Sequence, residues 1–213
     1  MKKISLAFSI FRERLHVACG IPHITRKLLM VTKKMLIRAS ESVLCVIDMQ
    51  ERLVPAMQAP ARTLRNTQTL VKIATEIGVP ILLTERYSKG LGATVQEIRK
   101  ATTVPALEKM HFSCMEDDGF AKAFRVLDRP QAILTGMEAH ICVMQTAASL
   151  MEEGKDVFVV SDATASRTLE SERACLERLG ACGAGIVTTE MVVFEWLGRA
   201  GTQEFEQALQ LIK

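Results

Sequence analysis

The sequence predicts an α/β fold. We expect a three-layer, Rossmann-like architecture in which helices cover both faces of a mostly parallel sheet of about six strands. Short apolar runs rich in β-branched residues alternate along the chain with segments whose apolar residues recur at helical spacing. The runs are apolar at consecutive positions, which is typical of strands buried on both faces of a parallel sheet.

Each predicted strand is one of these short apolar runs, with turn-forming or polar residues around it. Residues 107–113 are expected to form a further short extended segment. The predicted strands are residues 43–47, 80–84, 131–135, 156–160 and 185–187.

The segments between the strands carry the helical pattern, and turn signals mark several of their ends. Gly78 ends the first helix, Asp117 and Asp118 open a later one, and residues 85–92 are expected to be a loop. The predicted helices are residues 64–77, 94–100, 117–127, 141–151, 168–179, 189–197 and 202–212.

Composition excludes several classes of protein. The chain has 213 residues, 48% of them hydrophobic, which is enough for one well-buried globular domain, and no apolar run is long enough to span a membrane. Six cysteines are scattered without a CxxC pair or zinc-type spacing, so reduced thiols and a cytoplasmic location are expected. No glycine-rich phosphate loop is present.

Charge divides the chain into two parts. Residues 1–38 carry nine Lys/Arg and one acidic residue, a net +8, whereas residues 39–213 carry 18 basic and 23 acidic side chains, a net −5. Residues 39–213 are acidic overall and lack the basic surface typical of nucleic-acid binding, so no nucleic-acid partner is expected.

The basic front end, residues 1–34, has three interpretations. It is a poor secretory signal because charged residues interrupt its apolar run, and it is a passable mitochondrial transit peptide because it is basic and nearly free of acids. We favour the third, an extended or misassigned start, because patterned sequence begins directly after Met35. Residues 35–213 are then the functional domain, and a chain beginning at Met35 is expected to fold. The native start, Met1 or Met35, stays open, and a mitochondrial location is the alternative if the extension is a real transit peptide.

The turn after the fourth run, residues 136–143, is the main candidate for chemistry. Cys142 follows a predicted strand and falls in the first turn of a predicted helix. A helix N-terminus offers free N–H groups and a partial positive charge, which lower the pKa of a thiol and can bind a negative oxygen. Position alone still favours a structural cysteine by roughly two to one, because free cysteines are commonly buried as small hydrophobes.

Four stretches in the same order resemble the isochorismatase-like cysteine hydrolases, the superfamily that includes nicotinamidases and N-carbamoylsarcosine amidohydrolases. The similarity covers nearly all of residues 35–213 and is greatest to uncharacterised isochorismatase-domain hydrolases. The matching stretches are residues 46–53, 108–113, 136–143 and 188–197.

The resemblance implies a catalytic triad of Asp48, Lys109 and Cys142. Cys142 would be the nucleophile that forms a thioester, Asp48 would take the thiol proton and return one to the leaving amine, and Lys109 would stabilise the thiolate and keep the carboxylate ionised. The resemblance also implies a cis peptide bond between Met137 and Glu138, which would let the N–H groups of Glu138 and Cys142 converge as an oxyanion hole.

Four further side chains are candidates for the substrate pocket: Gln50, Tyr87, Phe112 and His140. His140 is not expected to be the base for Cys142, because residues two apart on a helix do not face each other.

The expected reaction is hydrolysis of a C–N bond in a small amide, since a cysteine nucleophile suits acyl transfer. Nicotinamidases carry an Asp-x-His metal motif after the second strand, whereas residues 84–88 here contain no histidine, so neither a metal nor another cofactor is expected. Look-alikes usually have Gln and Pro where this chain has Arg86 and Ser88. A homo-oligomer is expected. The alternatives are a catalytically silent binding or assembly protein with this fold, and a thiol-redox protein.

Overall fold

The computed structural model describes residues 35–212. The predictions for the basic extension, residues 1–34, therefore lie outside the described residues, and the proposed domain boundary stays a prediction. No helix in the described range is both long enough and apolar enough to cross a membrane.

A six-stranded sheet forms the centre of the described chain, and every pair of neighbouring strands is parallel. The strand order is β3-β2-β1-β4-β5-β6, which confirms the predicted α/β class. The strands are β1 Ser42–Ile47, β2 Ile81–Arg86, β3 Ala106–Lys109, β4 Gln131–Met137, β5 Asp156–Ala165 and β6 Gly185–Val187.

Eight α-helices connect and cover the strands in the described range. Local sequence explains several starts: Pro60 opens α1 in its first turn, where a missing N–H costs nothing, and Thr168 and Thr188 cap α6 and α7 by accepting backbone N–H groups. The helices are α1 Pro60–Glu76, α2 Ser88–Leu91, α3 Gln96–Arg99, α4 Asp118–Val126, α5 Met144–Glu152, α6 Leu169–Ala181, α7 Thr189–Leu197 and α8 Gln203–Ile212.

Three strands, β2, β4 and β5, run past their predicted ends, and helix α1 begins at Pro60 rather than at residue 64. Strand β2 continues through Glu85 to Arg86, which pairs with Lys109 of β3, and β5 continues to Ala165, which pairs with Met137. Apolar runs mark the buried middle of a strand but not its polar end, where ladder pairing alone decides the limit. The predicted loop 85–92 also contains the short helix α2.

The core lies on both faces of the sheet. Alternate residues of β1 point to opposite faces: Leu44 and Val46 belong to one buried cluster, and Val43, Cys45 and Ile47 belong to the other. Helices α1, α7 and α8 contribute buried residues to the first cluster, and α4, α5 and α6 contribute to the second. Because β1 and β4 are both central and fully buried, the turns after them are held by packing on both sides.

Gly136 lets β4 pass close to β1 just before the segment that carries Cys142. Its φ is +118°, and a Cβ atom there would lie 2.0 Å from the carbonyl oxygen of Ile47, so no other residue fits. This close approach brings the turn after β4 beside Asp48, the residue that follows β1.

Candidate active site

The carboxyl ends of neighbouring strands bring the three predicted catalytic side chains into one buried cluster. Asp48 follows β1, Lys109 ends β3, and Cys142 lies in a π-helical turn, Ala139–Val143, between β4 and α5. The side chains of Asp48 and Lys109 have no exposed surface, and Cys142 is 1% exposed. Such a strand edge is where open α/β sheets build their sites.

Asp48 is fixed by Thr84, a buried residue of β2 that the sequence analysis did not single out. The Thr84 hydroxyl donates to Oδ1 of Asp48 at 2.7 Å and accepts the Asp48 backbone N–H at 3.2 Å. Asp48 has a φ of 51°, a left-handed conformation that is uncommon for a residue other than glycine and often found at functional sites. With Oδ1 occupied, Oδ2 is the oxygen that faces the cations of the site.

Lys109 faces that second oxygen. Its Nζ lies 2.9 Å from Oδ2 of Asp48 and donates hydrogen bonds to the carbonyl oxygens of His111 and Phe112, at 3.0 and 3.1 Å. Burial lowers the pKa of Lys109, but the charge that Cys114 carries when ionised, the negative charge of Asp48 and the charge of an ionised Cys142 outweigh it, so the pKa lies above its ordinary value. Lys109 is therefore an ammonium ion at neutral pH.

The thiol of Cys142 differs from its predicted state. Its pKa is raised to about 12, with burial the largest cause and the negative charge of Asp48 the second, while the positive charges of Lys109 and Arg86 act in the opposite direction. The prediction that the helix N-terminus lowers this pKa is wrong, because desolvation outweighs the local dipole. The resting group is a neutral thiol beside a carboxylate.

A second buried thiol, Cys114, lies against the same cluster. Burial raises its pKa to about 12, and the Lys109 charge and the contacts with the hydroxyl groups of Thr146 and Thr84 oppose that rise. The Thr146 hydroxyl also donates to the carbonyl oxygen of Cys142 at 2.7 Å and accepts the backbone N–H of Cys114 at 3.0 Å. Thr146 therefore ties the π-helical turn to the segment that follows Lys109.

The backbone before Cys142 has the predicted form. The Met137–Glu138 peptide bond is cis, as the resemblance implies. The Glu138 carbonyl oxygen accepts the N–H groups of Ile141 and Val143, at 3.0 and 3.3 Å, which closes the turn. The Glu138 carboxylate is buried and forms an ion pair of 2.6 Å with the exposed Arg167. This pair connects the turn to the segment that follows β5.

The four pocket candidates lie in different surroundings. Gln50 is fully buried, and its side-chain amide donates to the carbonyl oxygens of Arg86 and Gly92 and accepts the Arg86 N–H, so it holds the loop in place. The Nδ1 atom of His140 lies 2.9 Å from the Ser166 hydroxyl, so the hydrogen-bond partner of this ring nitrogen is Ser166 and not Cys142. The other two candidates are exposed: Tyr87 by 50% and Phe112 by 47%.

Arg86, at the end of β2, completes the cluster. Its guanidinium lies over the Phe112 ring at 5.3 Å, and its Nε is 3.7 Å from Oδ2 of Asp48. The sequence marked Arg86 only as a departure from similar proteins. The available signal was its position two residues after Thr84, which puts both side chains on one face of the strand.

No group of three or more His, Cys, Asp or Glu side chains suited to a metal ion occurs within residues 35–212. The groups that could bind a metal ion at the cluster are the Asp48 carboxylate and the Cys142 thiol. The positive charges of Lys109 and Arg86, both beside Asp48, would repel a metal ion.

Comparison with known proteins gives consistent matches over most of the chain. The family model described as the isochorismatase domain matches residues 42–191. The "secreted isochorismatase effector Isc1" of Phytophthora sojae is 36% identical over 179 residues, covering 81% of this chain and 84% of that protein. "Isochorismatase domain-containing protein 1" of Danio rerio is 33% identical over 172 residues, covering 81% of this chain and 61% of that protein.

Solved structures share the fold. A structure described as MAR1 ribonuclease from Caenorhabditis elegans superposes with a TM-score of 0.78 at 29% identity, covering 83% of this chain and 92% of the other. The YcaC gene product of Escherichia coli, described as an octameric hydrolase of unknown specificity, has a TM-score of 0.79 at 22% identity, covering 84% and 91%.

Proposed function

The chain belongs to the isochorismatase family of hydrolases, and we propose that it cleaves the C–N bond of a small amide through a thioester on Cys142. The observation that carries this proposal is the buried contact of 2.9 Å between Asp48 Oδ2 and Lys109 Nζ, beside a neutral thiol. A nucleophile, a base and a cation that orients the base are the three groups that cysteine-dependent acyl transfer needs.

In the first step, Oδ2 of Asp48 takes the Cys142 proton as the sulfur attacks the amide carbonyl carbon. A pKa of about 12 leaves only about one thiol in 10⁵ ionised at pH 7. The proton must therefore move to Asp48 as the carbon–sulfur bond forms, which makes Asp48 a general base rather than a spectator. Thr84 supports this role because it occupies Oδ1 and leaves Oδ2 as the oxygen that would take the proton.

In the second step, Asp48 returns the proton to the amide nitrogen, the C–N bond breaks, and an amine or ammonia leaves. The N–H groups of Glu138 and Cys142 would stabilise the negative oxygen of the tetrahedral intermediate, and removal of one such donor typically costs about 10²–10³ in rate. Water then attacks the thioester with Asp48 again as base, which releases a carboxylic acid and restores the thiol. Lys109 stays protonated throughout and keeps Asp48 ionised between steps.

The substrate is proposed to be a small molecule rather than a nucleic acid. One structural neighbour is described as a ribonuclease, yet residues 39–213 of this chain carry a net charge of −5, which repels a polyanion. A homo-oligomeric state and a cytoplasmic location stay predictions from the sequence.

Ammonia release from a panel of small primary amides tests the proposal. We expect the native chain to hydrolyse at least one of them, Cys142→Ala to abolish the reaction, and Asp48→Asn to slow it by about 10²–10⁴. Cys182→Ala is the matched control, because this thiol is exposed and distant in sequence from the cluster. Activity that survives in Cys142→Ala would exclude the thioester mechanism.

The alternative is a protein that keeps the fold but acts only through binding or assembly. In that case Cys142 would be an inert core thiol. Alkylation by iodoacetamide, followed residue by residue with mass spectrometry, separates the two, because the alternative leaves Cys142 unmodified in the folded chain.

A further inference from the structure

The side chain of Arg86 enters the active-site cluster without a hydrogen-bond partner among the described residues. Its side chain is only 19% exposed, and its Nε is buried without an acceptor in the described part of the chain. The guanidinium makes no hydrogen bond to residues 35–212; its nearest charged atom is Oδ2 of Asp48, 3.7 Å from Nε, which is too long for a hydrogen bond.

Neither of its neighbours satisfies this group. The Phe112 ring, 5.3 Å from the guanidinium carbon, compensates part of the charge but accepts none of its N–H groups in the geometry of a hydrogen bond. Asp48 is already engaged by Lys109 and Thr84. Of the guanidinium nitrogens only Nε is buried, and it has no acceptor among residues 35–212, whereas the terminal N–H groups also lack an acceptor there but are not buried. A buried donor on a permanently charged side chain is expected to have an acceptor, and accessible N–H groups beside it leave room for a ligand that supplies two.

We propose that Arg86 is the specificity-determining residue of the site and binds a carboxylate on the substrate. A guanidinium presents two parallel N–H groups that match the two oxygens of a carboxylate, and this planar pair is stronger and more directional than a contact between point charges. Because Arg86 also lies near enough to Cys142 to act on the charge of its sulfur, the bound carboxylate would be only a few atoms from the reacting carbonyl.

This inference rests on the proposed function and narrows it to a class of substrate. The substrate would be a short amide that also carries a carboxylate, such as the monoamide of a small dicarboxylic acid. Hydrolysis would consume one water, break the C–N bond, and release ammonia and the dicarboxylate. A neutral amide of the same size would lose the Arg86 contact and bind more weakly.

Paired alkylating reagents test the carboxylate site without a known substrate. Iodoacetate and iodoacetamide both add a two-carbon group to a cysteine sulfur with loss of iodide, and the thiol proton passes to Asp48 at Cys142 and to solvent at Cys182. Only iodoacetate carries a carboxylate. The rate ratio of the two reagents is measured at Cys142 and, as an internal standard within the same molecule, at the exposed Cys182.

We expect the iodoacetate preference at Cys142, relative to Cys182, to fall by about tenfold or more in Arg86→Gln. Arg86→Lys keeps the positive charge but loses the two parallel N–H groups, so it should give an intermediate rate ratio. If Arg86→Gln does not fold, Arg86→Lys takes its place as the test variant. Arg173→Gln is the matched control, because it removes the same charge from a side chain that is 79% exposed, and should leave the ratio unchanged.

The outcomes separate the two proposals. Reaction of Cys142 with both reagents at a ratio that Arg86→Gln leaves unchanged would overturn the carboxylate site while leaving the nucleophile in place. A ratio that Arg86→Lys fully preserves would show that charge alone acts, and would overturn the bidentate contact. Reaction of Cys142 with neither reagent would overturn the nucleophile itself and this inference with it.

Discussion

The ammonium group of Lys109 lies 2.9 Å from Oδ2 of Asp48, and neither side chain has exposed surface. Asp48 follows β1 and Lys109 ends β3, and these strands are not neighbours because β2 lies between them. A buried charge without its partner is strongly unfavourable, so this contact affects the stability of the fold as well as its chemistry.

Lys109→Met is expected to lower the free energy of unfolding by about 3–5 kcal/mol, because it removes the only cation of the described residues within hydrogen-bond distance of the buried Asp48 carboxylate and leaves Arg86 at 3.7 Å. Chemical denaturation with a spectroscopic readout measures the change. Arg125→Met is the control: Arg125 pairs with Glu153 on the surface, with 57% of its side chain exposed, and its loss should cost under about 1 kcal/mol. Equal effects of the two substitutions would show that Asp48 is not held as a buried anion.

Thr84 is expected to act as a positioning residue for Asp48. Thr84→Val keeps the shape but removes the hydroxyl that donates to Oδ1 and accepts the Asp48 N–H, at 2.7 and 3.2 Å. We expect kcat to fall by about tenfold or more with little change in KM, since the base loses its orientation while the substrate contacts remain. Thr84→Ser keeps the hydroxyl and should restore most of the rate. A fall in melting temperature with unchanged kcat would assign Thr84 a structural role only.

Gly136 is expected to tolerate no side chain. Both Gly136 and Gly154 have a positive φ, +118° and +78°, but a Cβ at Gly136 would lie 2.0 Å from the Ile47 carbonyl oxygen, whereas nothing lies within 4 Å at Gly154. Gly154→Ala therefore reports the cost of backbone conformation alone, about 1–2 kcal/mol. Gly136→Ala adds the clash and should be several kcal/mol more destabilising or fail to fold. Similar melting temperatures for the two variants would contradict this account.

Four buried thiols within residues 35–212 make the fold sensitive to alkaline pH. Burial is the largest cause in each: the pKa is raised to about 12 at Cys142 and Cys114, to about 11 at Cys175, and well above its ordinary value at Cys45. Thiols in the unfolded chain ionise near pH ~8.5. Above that pH the folded state holds more protons than the unfolded state, so the free energy of unfolding falls as pH rises, up to the folded pKa values near 11–12.

Melting temperatures recorded from about pH 7 to about pH 10 test this linkage. Cys142→Ala removes one of the four groups and should flatten the decline, whereas Cys182→Ala removes an exposed thiol and should leave its slope unchanged. A melting temperature that is constant across this range would mean that the buried thiols ionise as readily in the folded chain as in the unfolded one.

Much of the architecture could be predicted from local pattern, because burial on two faces leaves a direct mark on the sequence. Strand β6 and helix α7 begin and end at the predicted residues, and the continuous apolar runs in β1 and β4 indicated the buried centre of a parallel sheet. Predictions failed where a strand continues through polar residues beyond its apolar run: β2 continues to Arg86, and β5 continues through Ser161 and Asp162.

The sequence by itself determined the fold class, the family resemblance and the identity of Asp48, Lys109 and Cys142 as candidates. Only the tertiary structure decided how Thr84 orients Asp48, why the Cys142 thiol is neutral, and that Arg86 lies unsatisfied beside them. The physical reason is the separation in sequence between the residues that contact each other at the site. Periodicity records the average environment of each residue along its own element. The hydrogen bonds at this site join residues of different elements, such as Asp48 and Thr84, which are 36 residues apart in sequence, and they depend on the strand order β3-β2-β1-β4.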